Sequence, residues 1–400
     1  MARFPGRPRW LASCIKGING QPLPILANVL AALRQDPNLV SCFAFDEMLR
    51  SALLVSALPG KDLTMTRLVS DNDVGVLQEY LQRRGLPRIG EGIVHQAVDM
   101  VARENTFHPI CDYLNSLEWD RKTRLSHWLS TYLGAEFSEY TDTIGRMFLI
   151  AMVARVMDPG CKCDYAIILE GPQGAGKSSA CQILGGDHYS DSLPDVTSGK
   201  DVSQHLNGKW LIEFAEMSAL SRAEAAALKA FLTRQEERYR PSYGRKEVIE
   251  PRQCVFIGTT NKTAYLKDET GNRRFWPVKV GKVEADALRQ DRDQLFAEAL
   301  LLYRGGIRWW PDAEFESCVI CPQQAARFEV DIWDEPIAAF LTGRDRVLVG
   351  EVARIGLGMT NARTGRADQN RIVAILERRG WTRQPKNSQG NIPWSPTKTG

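Results

Sequence analysis

The chain has 400 residues, 44% of them apolar and 25% charged, a composition that allows two or three domains with full-sized cores. No apolar run approaches the roughly 20 residues of a membrane span, and the opening MARFPGRPRWLASC lacks a signal-peptide core, so a membrane partner is excluded and the cytoplasm is the default location. The net charge is only +3, yet residues 341–400 hold eleven Lys/Arg against four Asp/Glu, which predicts a nucleic-acid contact at that end.

Residues 1–24, rich in Arg, Gly and Pro, read as an irregular arm. From there the text is helical: ILANVLAALRQD stops before Pro37, residues 45–58 form an apolar-periodic stretch, and Ser70-Asp-Asn-Asp73 opens a helix carrying Val76, Leu77, Tyr80 and Leu81. Further helices are expected over 93–104, 125–133 and 144–156, so residues 25–155 are predicted to be a helical domain. The next block, 156–325, alternates apolar strand-like runs with helices, which predicts an α/β domain with a mainly parallel sheet. Ligands of such sheets sit at the carboxyl ends of the strands. The nine cysteines, odd in number and without framework spacing, argue against secreted disulfides. The pairs at 161/163 and 318/321 lack a supporting histidine and read as thiols rather than a zinc site.

The chemistry concentrates in YAIILEGPQGAGKSSACQILG (165–185). A β-branched strand runs into Gly171-Pro-Gln-Gly174-Ala-Gly176-Lys177-Ser178, which fits the phosphate-loop pattern G-x-x-x-x-G-K-[ST] at every fixed position. The loop, Gly171, Gln173, Gly174, Ala175 and Gly176, with Lys177, Ser178 and Ser179, is expected to cradle a nucleotide against the start of the following helix. Lys177 would reach the β- and γ-phosphates and Ser178 would bind Mg²⁺. The run KWLIEFAEM ends in two acids: Glu213 is placed to hold the metal, and Glu216 to orient or deprotonate a water. Asn261 closes the strand CVFIGTTN and can position that water or sense the γ-phosphate.

Two basic stretches follow from composition. Arg273 and Arg274, between a glycine turn and two aromatics, include a candidate arginine finger acting either in its own chain or in a neighbour's site. Arg238, Arg240, Tyr243, Arg245 and Lys246 surround a Pro/Gly turn and suit single-stranded nucleic acid, although nearby Glu236, Glu237 and Glu247 dilute the charge. The tail (330–396) reads as helices over 333–341, 350–357 and 368–379, then a hairpin flanked by Trp381 and Trp394. This is the outline of a winged helix-turn-helix, with Arg371 and Arg378 on one exposed side of the third helix, and equally of a protein-docking module.

With these motifs in hand, residues 25–335 resemble the virulence-associated protein E family of phage and plasmid origin, itself similar to superfamily 3 helicases and phage primase–helicases. The segments carrying the resemblance include HPICDYLNSLEWD, PGCKCDYAIILEGPQGAGKSS, GKWLIEFAEM, YRPSYGRK, RQCVFIGTTN and YLKDETGNRRFWPV. It implies an AAA+-like P-loop core and a ring-forming, ATP- and Mg²⁺-dependent motor, hexameric in the related helicases, acting on single-stranded or forked DNA. It also implies metal binding by Glu213, γ-phosphate sensing by Asn261, and a channel hairpin at Arg240, Tyr243, Arg245 and Lys246. Arg273 or Arg274 would act across the subunit interface. The pattern departs where related helicases carry two adjacent acids and this chain has Glu213-Phe-Ala-Glu216. No primase segment is recognised ahead of residue 25, so any priming is expected from a separate protein. The rival reading is a nucleotide-switched regulatory protein that unwinds nothing.

Overall fold

In the computed structural model, residues 8–215, 222–242, 246–266, 272–328, 331–360, 365–387 and 390–397 are described. The first core gathers around α1 (Leu26–Gln35), whose Val29, Ala32 and Leu33 are buried at helical spacing. The stretch after it departs from expectation. Instead of a helix over 45–58, the chain forms β1 (Phe43–Asp46), a turn and β2 (Ser51–Leu54), paired antiparallel. The reason is local: the Asp46 side chain accepts the backbone N–H groups of Met48 and Leu49, both at 2.8 Å, and so closes a turn that breaks the helical pattern.

β3 (Arg67–Leu68) pairs antiparallel with β2, and α2 (Asp71–Arg84) begins at the expected Ser70, whose side chain and that of Asp73 cap each other's backbone. After α3 (Glu91–Ala102), β4 (Thr106–Phe107) pairs parallel with β1 and completes a sheet of order β3-β2-β1-β4. The amino-terminal region is therefore mixed α/β, not helical.

A second correction concerns its boundary. The core around Trp10, Phe43, Leu77 and Val98 ends at residue 102. The next helices, α4 (Pro109–Ser116), α5 (Trp128–Leu133) and α6 (Glu139–Met157), share a core with the strands that follow. Helical periodicity shows that a helix has a buried face, not which core it serves.

That larger core surrounds β5 (Ala166–Glu170), which leads through the phosphate loop into α7 (Lys177–Gly185) and the two-residue β6 (Tyr189–Ser190). Then come α8 (Lys200–His205), β7 (Leu211–Phe214), α9 (Arg222–Leu232), the hairpin β8 (Glu236–Tyr239) and β9 (Val248–Pro251), β10 (Val255–Thr260) and β11 (Phe275–Lys279). The sheet has order β11-β5-β10-β7-β6, and every neighbouring pair is parallel.

Side chains alternate between two apolar layers: Ile167 and Leu169 face the core of α6 and α7, whereas Ala166 and Ile168 face that of α8 and α9. Burial on both faces is why these strands read as unbroken apolar runs. α10 (Ala285–Arg304) packs along α6, and its buried Glu298 accepts the backbone N–H groups of Arg124 (2.7 Å) and Leu125 (3.0 Å).

α11 (Ala313–Phe315) continues through a π-helical turn (Glu316–Ile320) into α12 (Cys321–Ala325), and Phe328 then bridges to Leu266. The last core holds α13 (Asp334–Leu341), β12 (Val347–Leu348), α14 (Val349–Glu351) with its π-helical extension Val352–Gly356, α15 (Arg366–Arg378), β13 (Trp381–Arg383) and β14 (Pro393–Pro396). Its small antiparallel sheet has order β12-β14-β13. Among the described residues no helix is long and apolar enough to cross a membrane.

The hairpin β8–β9 is anchored by a buried ion pair. Arg252 Nε donates to Glu237 Oε1 at 2.6 Å, Ser203 donates to the other Glu237 oxygen at 2.7 Å, and the Arg252 guanidinium lies over the Phe231 ring. Removing one partner strands a buried charge. Glu237→Ala is expected to cost about 3–5 kcal/mol in denaturant unfolding, and Glu237→Ala with Arg252→Leu to cost less than Glu237→Ala alone.

Candidate active site

The loop after β5 turns because Gly174 and Gly176 take φ of +79° and +89°, where a side chain is strained. A Cβ at Gly176 would also come within 3.0 Å of Val283. Gly176 offers no side-chain cap to α7, so the first N–H groups of the helix face the loop without a capping oxygen. Lys177 is nearly buried, and its Nζ donates to the carbonyl oxygens of Gly171 (2.7 Å) and Pro172 (2.9 Å) and to Asn261 Oδ1 (2.9 Å). Burial lowers its pKa, and the Glu213 charge opposes that shift.

Strand order brings Glu213 to the same place. β10 lies between β5 and β7, so its Thr259, Thr260 and the following Asn261 stand between the phosphate loop and Glu213. Glu213 is 2% exposed. Its Oε1 accepts from Ser178 Oγ and Thr259 Oγ1, each at 2.7 Å, and its Oε2 accepts from the Tyr189 hydroxyl. Burial and the Glu213 charge push the Tyr189 pKa well above its ordinary value. The cleft over these groups, about 380 Å³, is lined by Gln173–Ser179 and by Glu213, Ala215 and Asn261. The expected Lys177, Ser178, Glu213 and Asn261 are thus brought together; Glu216 lies outside the described residues.

Thr259 and Tyr189 are additions that sequence reasoning missed. Thr259 lies in β10, two residues before Asn261, where side-chain alternation could have found it. Tyr189 follows a glycine turn on an edge strand of two residues and carries no local signal. A second carboxylate stands directly before the loop. Buried Glu170 accepts from Tyr265 (2.8 Å) and from Nε and Nη2 of Arg327 (3.0 and 3.1 Å). The Arg327 carbonyl in turn accepts the backbone N–H groups of Tyr265 and Leu266.

The paired arginines lie elsewhere. A 3₁₀ turn (Asn272–Arg274) enters β11, where Phe275 is opposite Ala166 and Lys279 is opposite Glu170. Arg273 and Arg274 therefore stand at the amino end of the sheet, about 16 Å of strand from the phosphate loop at ~3.3 Å per residue. Burial pushes the Tyr165 pKa up to about 12 while the Arg273 charge pulls it down, which locates Arg273 beside the start of β5. Neither arginine reaches the cleft of its own chain. Of the two expected alternatives, action in the chain's own site does not fit this placement.

On the hairpin, Arg238 pairs across the strands with Glu247 at 2.8 Å, Arg240 and Lys246 are exposed near the turn, and Tyr243 and Arg245 lie outside the described residues. In the carboxyl-terminal module, the side of α15 bearing Arg371 and Arg378 is not open. Arg371 binds Asp331 through two hydrogen bonds (2.6 and 2.7 Å) and stacks on Trp333, and Arg378 pairs with Asp334 and lies over Phe328. A helical wheel drawn from sequence cannot show what the preceding segment places against that side.

Residues 114–328, more than half of the chain, match the model of the virulence-associated protein E-like domain. None of the curated proteins matches the chain. Among solved structures it is similar to the apo C-terminal region (305–718) of NrS-1, at 16% identity and a TM-score of 0.45, covering 89% of this chain and 95% of that one. It is also similar to a point mutant of Thermotoga maritima RuvB (13% identity, TM-score 0.23, 63% and 92% covered). A third such structure is JCV helicase (14% identity, TM-score 0.25, 62% and 78% covered).

The Tyr189–Glu213 contact is testable without any ligand. Hydrogen bonds to charged groups contribute about 1.5–3 kcal/mol. Tyr189→Phe is expected to lower the unfolding free energy by about that amount in the parent and by little in a Glu213→Ala background. Equal losses in both would mean that the hydroxyl does not act through Glu213.

Proposed function

The chain belongs to the virulence-associated protein E-like domain family, and from that premise we propose that it is an Mg²⁺-dependent ATPase of a phage or mobile element, working as a ring-forming DNA helicase in replication. The observation that carries the reading is one buried carboxylate, Glu213, accepting the hydroxyl of the phosphate-loop Ser178 at 2.7 Å. A hydroxyl and a carboxylate are hard oxygen donors of the kind Mg²⁺ takes together with substrate phosphates and water. The residues fit the group: Ser178 and Glu213 would hold the ion, which when bound neutralises phosphate charge.

The protein's own groups do the rest. Lys177, now held by two loop carbonyls and Asn261, is placed to turn to the phosphates. Asn261 and Glu216 are the groups for holding and deprotonating water. Arg273 or Arg274 is delivered from the next protomer of a ring, a hexamer in this proposal. The hairpin residues Arg240, Tyr243, Arg245 and Lys246 contact a single strand, and the carboxyl-terminal module, read as a winged helix, helps hold DNA. A separate primase or replication protein would supply priming.

One observation favours a second reading. Within a single chain no arginine of the 273–274 pair approaches the cleft. A chain that stayed monomeric would bind nucleotide and switch, regulating a partner without unwinding DNA.

Two measurements separate these readings. Hydrolysis by the purified protein should rise several-fold with single-stranded DNA, and Lys177→Ala should fall to background; hydrolysis indifferent to DNA supports the switch instead. Second, an arginine finger contributes about 10³–10⁵ in rate, so the Arg273→Ala or the Arg274→Ala chain should be nearly inactive by itself. Mixing that chain with Lys177→Ala chains should restore activity, because an intact lysine then meets an intact arginine across an interface. Persistent inactivity of every mixture would remove the trans assignment.

A further inference from the structure

The basic surplus of the carboxyl-terminal module divides by what faces it. At 100° per residue, α15 presents three sides. Ile372, Ile375 and Leu376 form the buried one. Arg371 and Arg378 occupy the second, matched to Asp331 and Asp334. The third carries Arg366, Gln369, Asn370 and Val373, and lines an open groove of about 850 Å³. Arg354, from the π-helical turn, and Arg383, from β13, line the same groove from its two flanks.

Arg354, Arg366 and Arg383 are exposed, and among the described residues their side chains make no ion pair or hydrogen bond. The acids of the groove do not match them. Glu351 is turned back onto the Leu348 backbone N–H at 2.9 Å, and Glu377 lies at the far carboxyl end of α15. Three cations without partners around two side-chain amides are a pattern for a polyanion with readable edges. Arginines neutralise phosphates, and Gln or Asn on a helix pairs with the edge of adenine in the major groove.

We infer that the groove between α14 with its π-helical extension, α15 and β13 seats duplex DNA, with Arg366, Gln369 and Asn370 entering the major groove and Arg354 and Arg383 on the flanking phosphates. The inference deepens the proposed DNA reading by naming the face and the form of DNA. It rests on DNA being the partner and not on hydrolysis. It also moves the contact away from Arg371 and Arg378, whose charges hold α15 to Asp331 and to the start of α13.

The test uses the full chain and a fluorescein-labelled duplex of mixed sequence, with anisotropy followed across salt concentration. Each phosphate contact contributes about 0.9 to the slope of log affinity against log salt. Arg366→Ala with Arg383→Ala is expected to lower that slope by about one, for the phosphate contact of Arg383, and duplex affinity at least tenfold, while binding of an oligo-dT single strand is unchanged. Arg371→Ala is expected to lower the melting temperature and leave the slope at the parent value.

Parental duplex affinity and slope in the double variant would overturn the assignment, as would the absence of duplex binding by the parent, the result expected if the groove takes a protein. A slope lowered only by Arg371→Ala would return the contact to the other side of α15. Failure of the helicase reading is a separate result: hydrolysis indifferent to single-stranded DNA, with duplex binding still dependent on Arg366 and Arg383, leaves the groove standing.

Discussion

A carboxylate taken out of water must be matched by donors or it destabilises the fold that buries it. Glu213 meets that demand with three hydroxyls, those of Ser178 from α7, Thr259 from β10 and Tyr189 from β6. The arrangement exists only because β10 separates β5 from β7 and β6 flanks β7 on the outside. Strand order, the two-residue edge strand and the side-chain alternation of β10 therefore all converge on one charge. The same charge moderates the neighbouring lysine, opposing the effect of burial on Lys177. Loop, β10 and acid form one electrostatic unit, and a change in any donor is felt by the others.

Behind this unit stands a second matched carboxylate. Glu170 precedes the loop by one residue and is held by Arg327 and Tyr265, while the Arg327 backbone holds Tyr265 and Leu266. Through these contacts the segment after α12 is fastened to the strand that carries the loop and to the residues that follow Asn261. Phe328, next in sequence, lies under the Arg378 guanidinium of α15. A continuous run of contacts thus joins the phosphate-loop cleft to the carboxyl-terminal module, and Arg378 belongs to that structural run.

How much of this was legible in the sequence follows from range. The phosphate loop is local, so its lysine, serine and glycines could be read directly, and Glu213 and Asn261 followed as polar residues ending apolar runs. Tyr189 and Thr259 meet Glu213 only through the order of strands, which no single segment encodes. The helix expected over 45–58 failed because one aspartate, Asp46, gives the backbone a competing turn. The α15 arginines were placed on the correct side of their helix, but the aspartates facing that side lie 40 and 44 residues upstream, beyond the reach of periodicity.

The separation of the arginines from the cleft is the feature with the widest consequence. One chain assembles a lysine, several hydroxyls and an acid around a cleft of about 380 Å³, yet both residues at 273–274 stand at the opposite end of the sheet. Negative charge building up on a transferred phosphoryl group would meet Lys177 and a bound metal from its own chain only. An arginine at the amino end of one sheet can serve a cleft at the carboxyl end of another only where opposite sheet ends of two chains meet, as they do in a head-to-tail contact. Such head-to-tail contacts repeat, and when the rotation closes they make a ring. In the proposed enzyme, assembly and hydrolysis are then one property, since the interface that joins two chains is also what completes the site.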